Sequence, residues 1–218
     1  MNILGIIFSY SDRENLRELT KRRTLASLPM AGKFRIIDFV VSNFVNDGIY
    51  DVSVIARSNN HSLMDHLGSG KEWDLIRKRG GLRVLTPFAR SDNEKTGLYR
   101  GTIEALAGNM HSIRRSMGEF VILSGSSILY SMNFNDLVEK HIQSSADITA
   151  VYTRDLNGFP TVPMGVAILR FNDHNRLYDM TINMEDMSQH GITWSTEVFV
   201  IRKSLLESLV ADAIAYGR

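Results

Sequence analysis

The sequence predicts an α/β fold with a mostly parallel mixed sheet between helices, and three observations predict it. The apolar runs are short and rich in Val and Ile. Stretches of helical period separate them, and strand–helix alternation builds a parallel sheet covered on both faces. The chain has 218 residues, 44% hydrophobic and 22% charged, which is enough for a full core in the globular range.

The elements follow in chain order. Asn2–Phe8 reads as a strand, almost wholly apolar, so MNILGIIF is a buried segment and not a signal peptide: it has no basic n-region. The turn after it, from Ser9, has no glycine, and Ser11 to Glu14 fits a capping box. Helices are expected at Phe39–Asp47 and Ser62–Leu67, and strands at Val52–Ala56 and Leu82–Leu85. Arg83–Gly101 is polar and aperiodic, the pattern of a long functional loop. Across Thr102–Ser116, Ile103, Leu106, Met110 and Ile113 fall at helical spacing, with Thr102 as N-cap and Glu104 in the first turn. Further strands are expected at Phe120–Leu123, Ile148–Tyr152, Met164–Leu169 and Trp194–Ile201, and helices at Phe134–Ser144 and Ser204–Ala215. The chain reads as one domain over 1–218, truncated at its C-terminal end. Ligands of such sheets bind beyond the carboxyl ends of the strands, so the loops after Phe8, Ala56, Leu85 and Leu123 are where a site is expected.

Composition excludes several chemistries. The formal net charge is +1, so no bulk field draws nucleic acid or an anionic membrane, and neither is expected as a partner. Without cysteine there are no disulfides, no thiolate nucleophile and no Cys-type zinc, which suits a cytoplasmic location. His61 and His66 are five apart and do not share a helix face as zinc ligands do. Ser124-Gly125-Ser126 is no G-x-S-x-G elbow. Arg77 to Arg79 and Arg114-Arg115 read as solvated cations on separate segments. The ten methionines read as gap-filling core or interface residues.

Leu19–Ile49, LTKRRTLASLPMAGKFRIIDFVVSNFVNDGI, resembles the sugar-phosphate nucleotidylyltransferases, and specifically glucose-1-phosphate adenylyltransferase (ADP-glucose pyrophosphorylase). HSLMDHL (His61–Leu67), LYRGTIEAL (Leu98–Leu106), ILSG (Ile122–Gly125), ADIT (Ala146–Thr149) and STEVFVI (Ser195–Ile201) extend the resemblance over nearly the whole chain. It implies a Rossmann-like domain, followed in the family by a left-handed β-helix that this sequence does not contain. It also implies a reaction: glucose 1-phosphate attacks the α-phosphorus of ATP, releasing pyrophosphate and leaving ADP-glucose. Basic groups and Mg²⁺ neutralise the developing charge in catalytic relatives.

The chain departs from the family pattern where phosphate and metal chemistry reside. The glycines of the family loop LAGGxGTRLxPLT fall on Tyr10, Ser11 and Arg13, and its arginine on Asn15. Glycines there let backbone N–H groups approach phosphate. A family lysine falls on Leu25, while Arg23 and Gly32 keep their places. Ser126 stands where the family's metal-binding aspartate belongs. No lysine follows Asn175–Asp179, where the family has an EKP motif. The retained positions give candidates for binding a nucleotide or sugar phosphate: Arg23, Arg57, Gly101, Thr102, Glu104 and Gly125. No catalytic residue, metal ligand or cofactor is assigned to this chain. The pattern of loss resembles the D-type (GlgD) branch, a regulatory subunit pairing with a catalytic C-type (GlgC-type) subunit, with a hetero-tetramer implied for the full-length form. An active nucleotidyltransferase using other residues, or a nucleotide or sugar-phosphate sensor, are the alternatives.

Overall fold

All six residues of Ile3–Phe8 are buried, and this strand, β1, organises the fold around it. A computed structural model describes residues 1–10, 16–56, 59–86, 101–154, 167–182 and 192–217. The other strands, in chain order, are β2 (Pro29–Met30), β3 (Phe34–Arg35), β4 (Asp51–Ile55), β5 (Gly81–Leu85), β6 (Phe120–Gly125), β7 (Ile148–Arg154), β8 (Ala167–Phe171), β9 (Leu177–Ile182) and β10 (Thr193–Arg202). The helices are α1 (Ile36–Asn46), α2 (His61–Leu67), α3 (Thr102–Gly108), α4 (Met110–Arg115), α5 (Phe134–Ser144) and α6 (Lys203–Ala215). Two compact units divide the chain: Met1–Thr149 with Val200–Arg218, and Ala150–Phe199. Strands run parallel in the first and antiparallel in the second, the mixed α/β fold that the sequence predicts.

In the first unit the strand order is β5-β4-β1-β6. Side chains alternate along β1, so its two faces meet different helices. Leu4, Ile6 and Phe8 pack with Ala105 and Leu106 of α3, Met110 and Ile113 of α4, and Leu206 and Val210 of α6. On the opposite face Gly5 lies under Phe44 of α1, whose ring stacks on Phe134 of α5 at 4.5 Å and 17°. A Cβ on Gly5 would stand 2.9 Å from Phe44 Cε1. The stacked ring has nowhere to retreat, so Gly5→Ala overpacks the core. It is expected to cost about 1–3 kcal/mol, seen as a lower urea midpoint at unchanged m value. An unchanged midpoint would show that the stack yields freely.

His141 on α5 is 3% exposed, with Nδ1 2.8 Å from Thr149 Oγ1 and its ring edge-on to Phe120 at 5.7 Å. Burial, and secondarily Arg202, hold its pKa below the ordinary histidine value, with Asp147 opposing. The unfolded chain therefore binds this proton more tightly than the folded one. Stability contributed by neutral His141 is present above the ordinary histidine range near about 6.5 and is lost as pH falls through it. A His141→Gln variant should show a flatter pH dependence of urea stability between about pH 7 and 5. The same slope in both proteins would assign the dependence elsewhere.

The second unit is a small antiparallel system. β8 pairs with β10 at Ile168↔Trp194, and with β9 from Ala167↔Ile182, with an irregularity at Arg170/Phe171. Asn172 Oδ1 accepts from the N–H groups of His174 and Arg176 and closes the β8–β9 turn, where Asn175 takes positive φ. Tyr152 of β7 packs on Phe171 at 4.7 Å.

Several boundaries differ from expectation. α1 begins at Ile36 and not Phe39, because the Asp38 carboxylate accepts the Arg35 N–H at 2.9 Å and caps the helix earlier. The single helix expected over Thr102–Ser116 is two, meeting at Asn109. There the side-chain amide donates to Ala105 O at 2.8 Å, and the backbone N–H turns to Leu106 O. Gly101, in extended backbone, is the N-cap of α3, so Thr102 is its first helical residue and not the cap. The short strands β2 and β3, and β9, were not expected. Residues Met164 to Val166 of an expected strand, residues 87–100 of the expected loop, and the capping box at Ser11 to Glu14 lie outside the described residues. No helix among the described residues is long and apolar enough to cross a membrane.

Candidate functional site

Strand order places the site. From β1 the chain builds outward through β4 to β5, then returns to β6 on the other side of β1. This is a topological switch point, and the crevice at the carboxyl ends of β1 and β6 is where open α/β sheets bind ligands. Parallel register aligns the edge: Phe8 lies opposite Ile55 and Gly125, and Ile55 opposite Leu85. The loops singled out from the sequence therefore share one edge.

At the end of β1 the chain stays extended for two more residues. Ser9 donates to Ile55 O through both its N–H (3.0 Å) and its hydroxyl (3.1 Å). That keeps Tyr10 on the same side as Phe8, and the two rings meet edge-on at 6.0 Å and 76°. Tyr10 is only 8% exposed and belongs to the core cluster that includes Ile55, Leu106 and Ile201. Tyr10, where the resemblance places a phosphate-loop glycine, is a core residue.

At the end of β6, Ser124 Oγ donates to Gly125 O at 2.8 Å and lies 2.6 Å from Tyr130 OH. Asn43 of α1 donates to Tyr130 O at 2.7 Å. Burial pushes the Tyr130 phenol up to about 12, with the Ser124 bond opposing, so it stays protonated through the physiological range. This staple on the turn holding Ser126 was missed from sequence. Its only signal was a tyrosine a few residues past a strand end.

Ser126 is 1% exposed, and its Oγ has no hydrogen-bond partner among the described residues. Mg²⁺ takes near-octahedral oxygen ligation, through carboxylates and retained waters. A neutral hydroxyl shut from solvent supplies neither, and no group of three or more His, Asp or Glu able to hold a metal occurs among the described residues. The described residues do not fit Mg²⁺.

Arg23 is exposed beside exposed Lys21 and Arg22, while Thr24, Ala26 and Ser27 are buried and Leu25 is half-buried in a short 3-10 helix. Thr24 Oγ1 is a second buried hydroxyl without a partner among the described residues. Gly101 has an extended φ of −167°, and a Cβ there would meet nothing within 4 Å, so its backbone does not require glycine. Thr102 is exposed and Glu104 half-buried on the first turn of α3. Gly125 closes β6 opposite Phe8. Arg57 lies outside the described residues. Arg35 Nη1 donates to Ser62 Oγ at 2.7 Å, and Asp38 Oδ1 lies 2.5 Å from His66 Nε2, tying the start of α1 to α2. His66 is thus a structural partner of a carboxylate, consistent with its spacing from His61.

Sheet order and edge define a class: an α/β domain built to take a ligand at its switch point. The chain belongs to the nucleotidyl transferase family, which residues 5–160 match. Relatives include the glucose-1-phosphate adenylyltransferase of Thermotoga neapolitana, 36% identical over 148 residues, covering 68% of this chain and 34% of that protein. The glucose-1-phosphate adenylyltransferase of Clostridium novyi is 29% identical over 215 residues, 97% of this chain and 54% of its own length. The glycogen biosynthesis protein GlgD of Bacillus subtilis is 33% identical over 151 residues, 69% of this chain and 43% of its own. The matched residues span about a third of the length of the Thermotoga relative.

Proposed function

We propose that this chain is a regulatory subunit of a glucose-1-phosphate adenylyltransferase in glycogen biosynthesis, inactive or weakly active by itself, that pairs with a catalytic C-type subunit. The observation that carries the reading is the Tyr10 ring, packed into the core where relatives of the resembled family keep a glycine for the triphosphate. Ser126 supports it: at the position of a metal carboxylate stands a neutral, enclosed hydroxyl. Chemistry is lost while the scaffold of α1 and the parallel sheet is kept, which points to assembly as the retained role. Removing one electrostatic stabiliser costs about 10²–10³ in rate, and here two separate elements are changed. Co-purification of this chain with a C-type subunit from the same cell is the test of pairing. Joint elution on size exclusion is expected; separate elution at micromolar concentrations of both would sink the partner reading and leave the sensor.

A further inference from the structure

The second unit ends on an open sheet edge. β9 closes the strand order, with β8 on one side and no strand on the other among the described residues. Register puts Ala167 opposite Ile182 and Leu169 opposite Met180, and residues directly opposite in an antiparallel pair share a face. On that face Ala167 and Leu169 are 8% and 3% exposed, while Ile182 and Met180 are 48% and 56% exposed. The apolar face is therefore covered at β8 and bare at β9. Tyr178, 67% exposed, stands at the irregularity beside the turn and lengthens the bare row.

Sheet edges are ordinarily blunted against pairing by lysine, proline or an uncompensated charge. β9, LYDMTI, has neither Lys nor Pro. Its one charge, Asp179, is held by Arg170 of β8 at 2.9 Å, so no free charge turns a second strand away. The sequence of the edge also selects its occupant. In an antiparallel pair about a two-fold axis at Met180, Met180 meets Met180 of a second copy, Tyr178 reaches its Ile182, and Asp179 meets its Thr181. Apolar groups then lie against apolar groups on one face, and carboxylate against hydroxyl on the other. An axis at Asp179 sets two carboxylates directly opposite, a destabilising pair. An axis midway between two residues sets the apolar face of one strand beside the polar face of the other. The strand is thus complementary to a copy of itself in one register.

We propose that β9 pairs antiparallel with β9 of a second copy of this chain, about a two-fold axis at Met180, joining two small sheets into one. The proposal does not depend on the regulatory reading. A single strand pair is a small contact, so sedimentation equilibrium should show a dimer share that rises with concentration between about 10 µM and 1 mM. Met180→Lys sets two ammonium groups opposite each other and should weaken the dimer at least about tenfold. Met180→Glu should do the same with two carboxylates. An equimolar mixture of the two variants should recover the dimer, because lysine then faces glutamate. Leu209→Lys on α6, 41% exposed in the parent, should leave the dimer unchanged. Met180 and Leu209 are both exposed, so the variants should fold, and circular dichroism verifies it. A chain that stays monomeric up to about 1 mM, a mixture no more dimeric than either variant alone, or equal weakening by Leu209→Lys would overturn the proposal. Loss of co-elution with a C-type subunit in Met180→Lys, with the parent chain monomeric by itself, would overturn it too, by giving this edge to that subunit.

Discussion

Replacing Tyr10 by glycine will destabilise the protein by about 3–5 kcal/mol, the cost of deleting a large core aromatic, and will not create a phosphate cradle. The ring packs on Phe8 and within the cluster of Ile55, Leu106 and Ile201, and is 8% exposed. The same residue change, read from sequence resemblance alone, looks like restoration of a binding loop. Read from the structure it opens a hole in that cluster. For a unit of this size the loss corresponds to a fall in Tm of about 6–20 °C. Thermal denaturation followed by circular dichroism decides it. A Tm within a degree or two of the parent would mean the turn repacks freely and is still poised to become a cradle.

Ser126→Asp carries the second large effect. Its site is 1% exposed, and the serine hydroxyl already lacks a hydrogen-bond partner among the described residues. An ionised carboxylate left uncompensated there costs about 3–5 kcal/mol. Burial raises the folded-state pKa of such a carboxyl above its unfolded value. The deficit is therefore largest at neutral pH and shrinks as pH falls toward the ordinary aspartate range near about 3.9. Urea melts at pH 7 and pH 4.5 measure both the size and the sign. Millimolar Mg²⁺ should not restore stability, since the described residues offer no cluster of carboxylates to share the ion. Full rescue by Mg²⁺ would mean that the residues around this position can still hold the ion once a carboxylate is supplied.

Much of the fold was legible because local signals agreed with each other. Phe134–Ser144 is the helix that its period predicts, capped by Asn133, whose Oδ1 accepts the Asp136 N–H. β1 was legible as a continuous apolar run. β9 was not: LYDMTI exposes most of its residues, so no buried face imposes a period. The break at Asn109 hid inside a good helical pattern, since the competing bond comes from one side chain. At the site, sequence marked Tyr10 and Ser126 as departures, but only Ser9's bonds to Ile55 show that Tyr10 turns into the core. That Arg79 and Arg115 line one cavity was not legible, because it depends on the start of β5 and the end of α4 reaching the same edge.

Pyrophosphate release from ATP and glucose 1-phosphate tests the central claim most directly. It should be measured for the purified chain alone, then with a C-type subunit added. The chain alone should release pyrophosphate at least about 10²–10³ more slowly than the catalytic subunit, and its addition should change the rate of that subunit. Release by the chain alone at the catalytic subunit's rate would contradict the account.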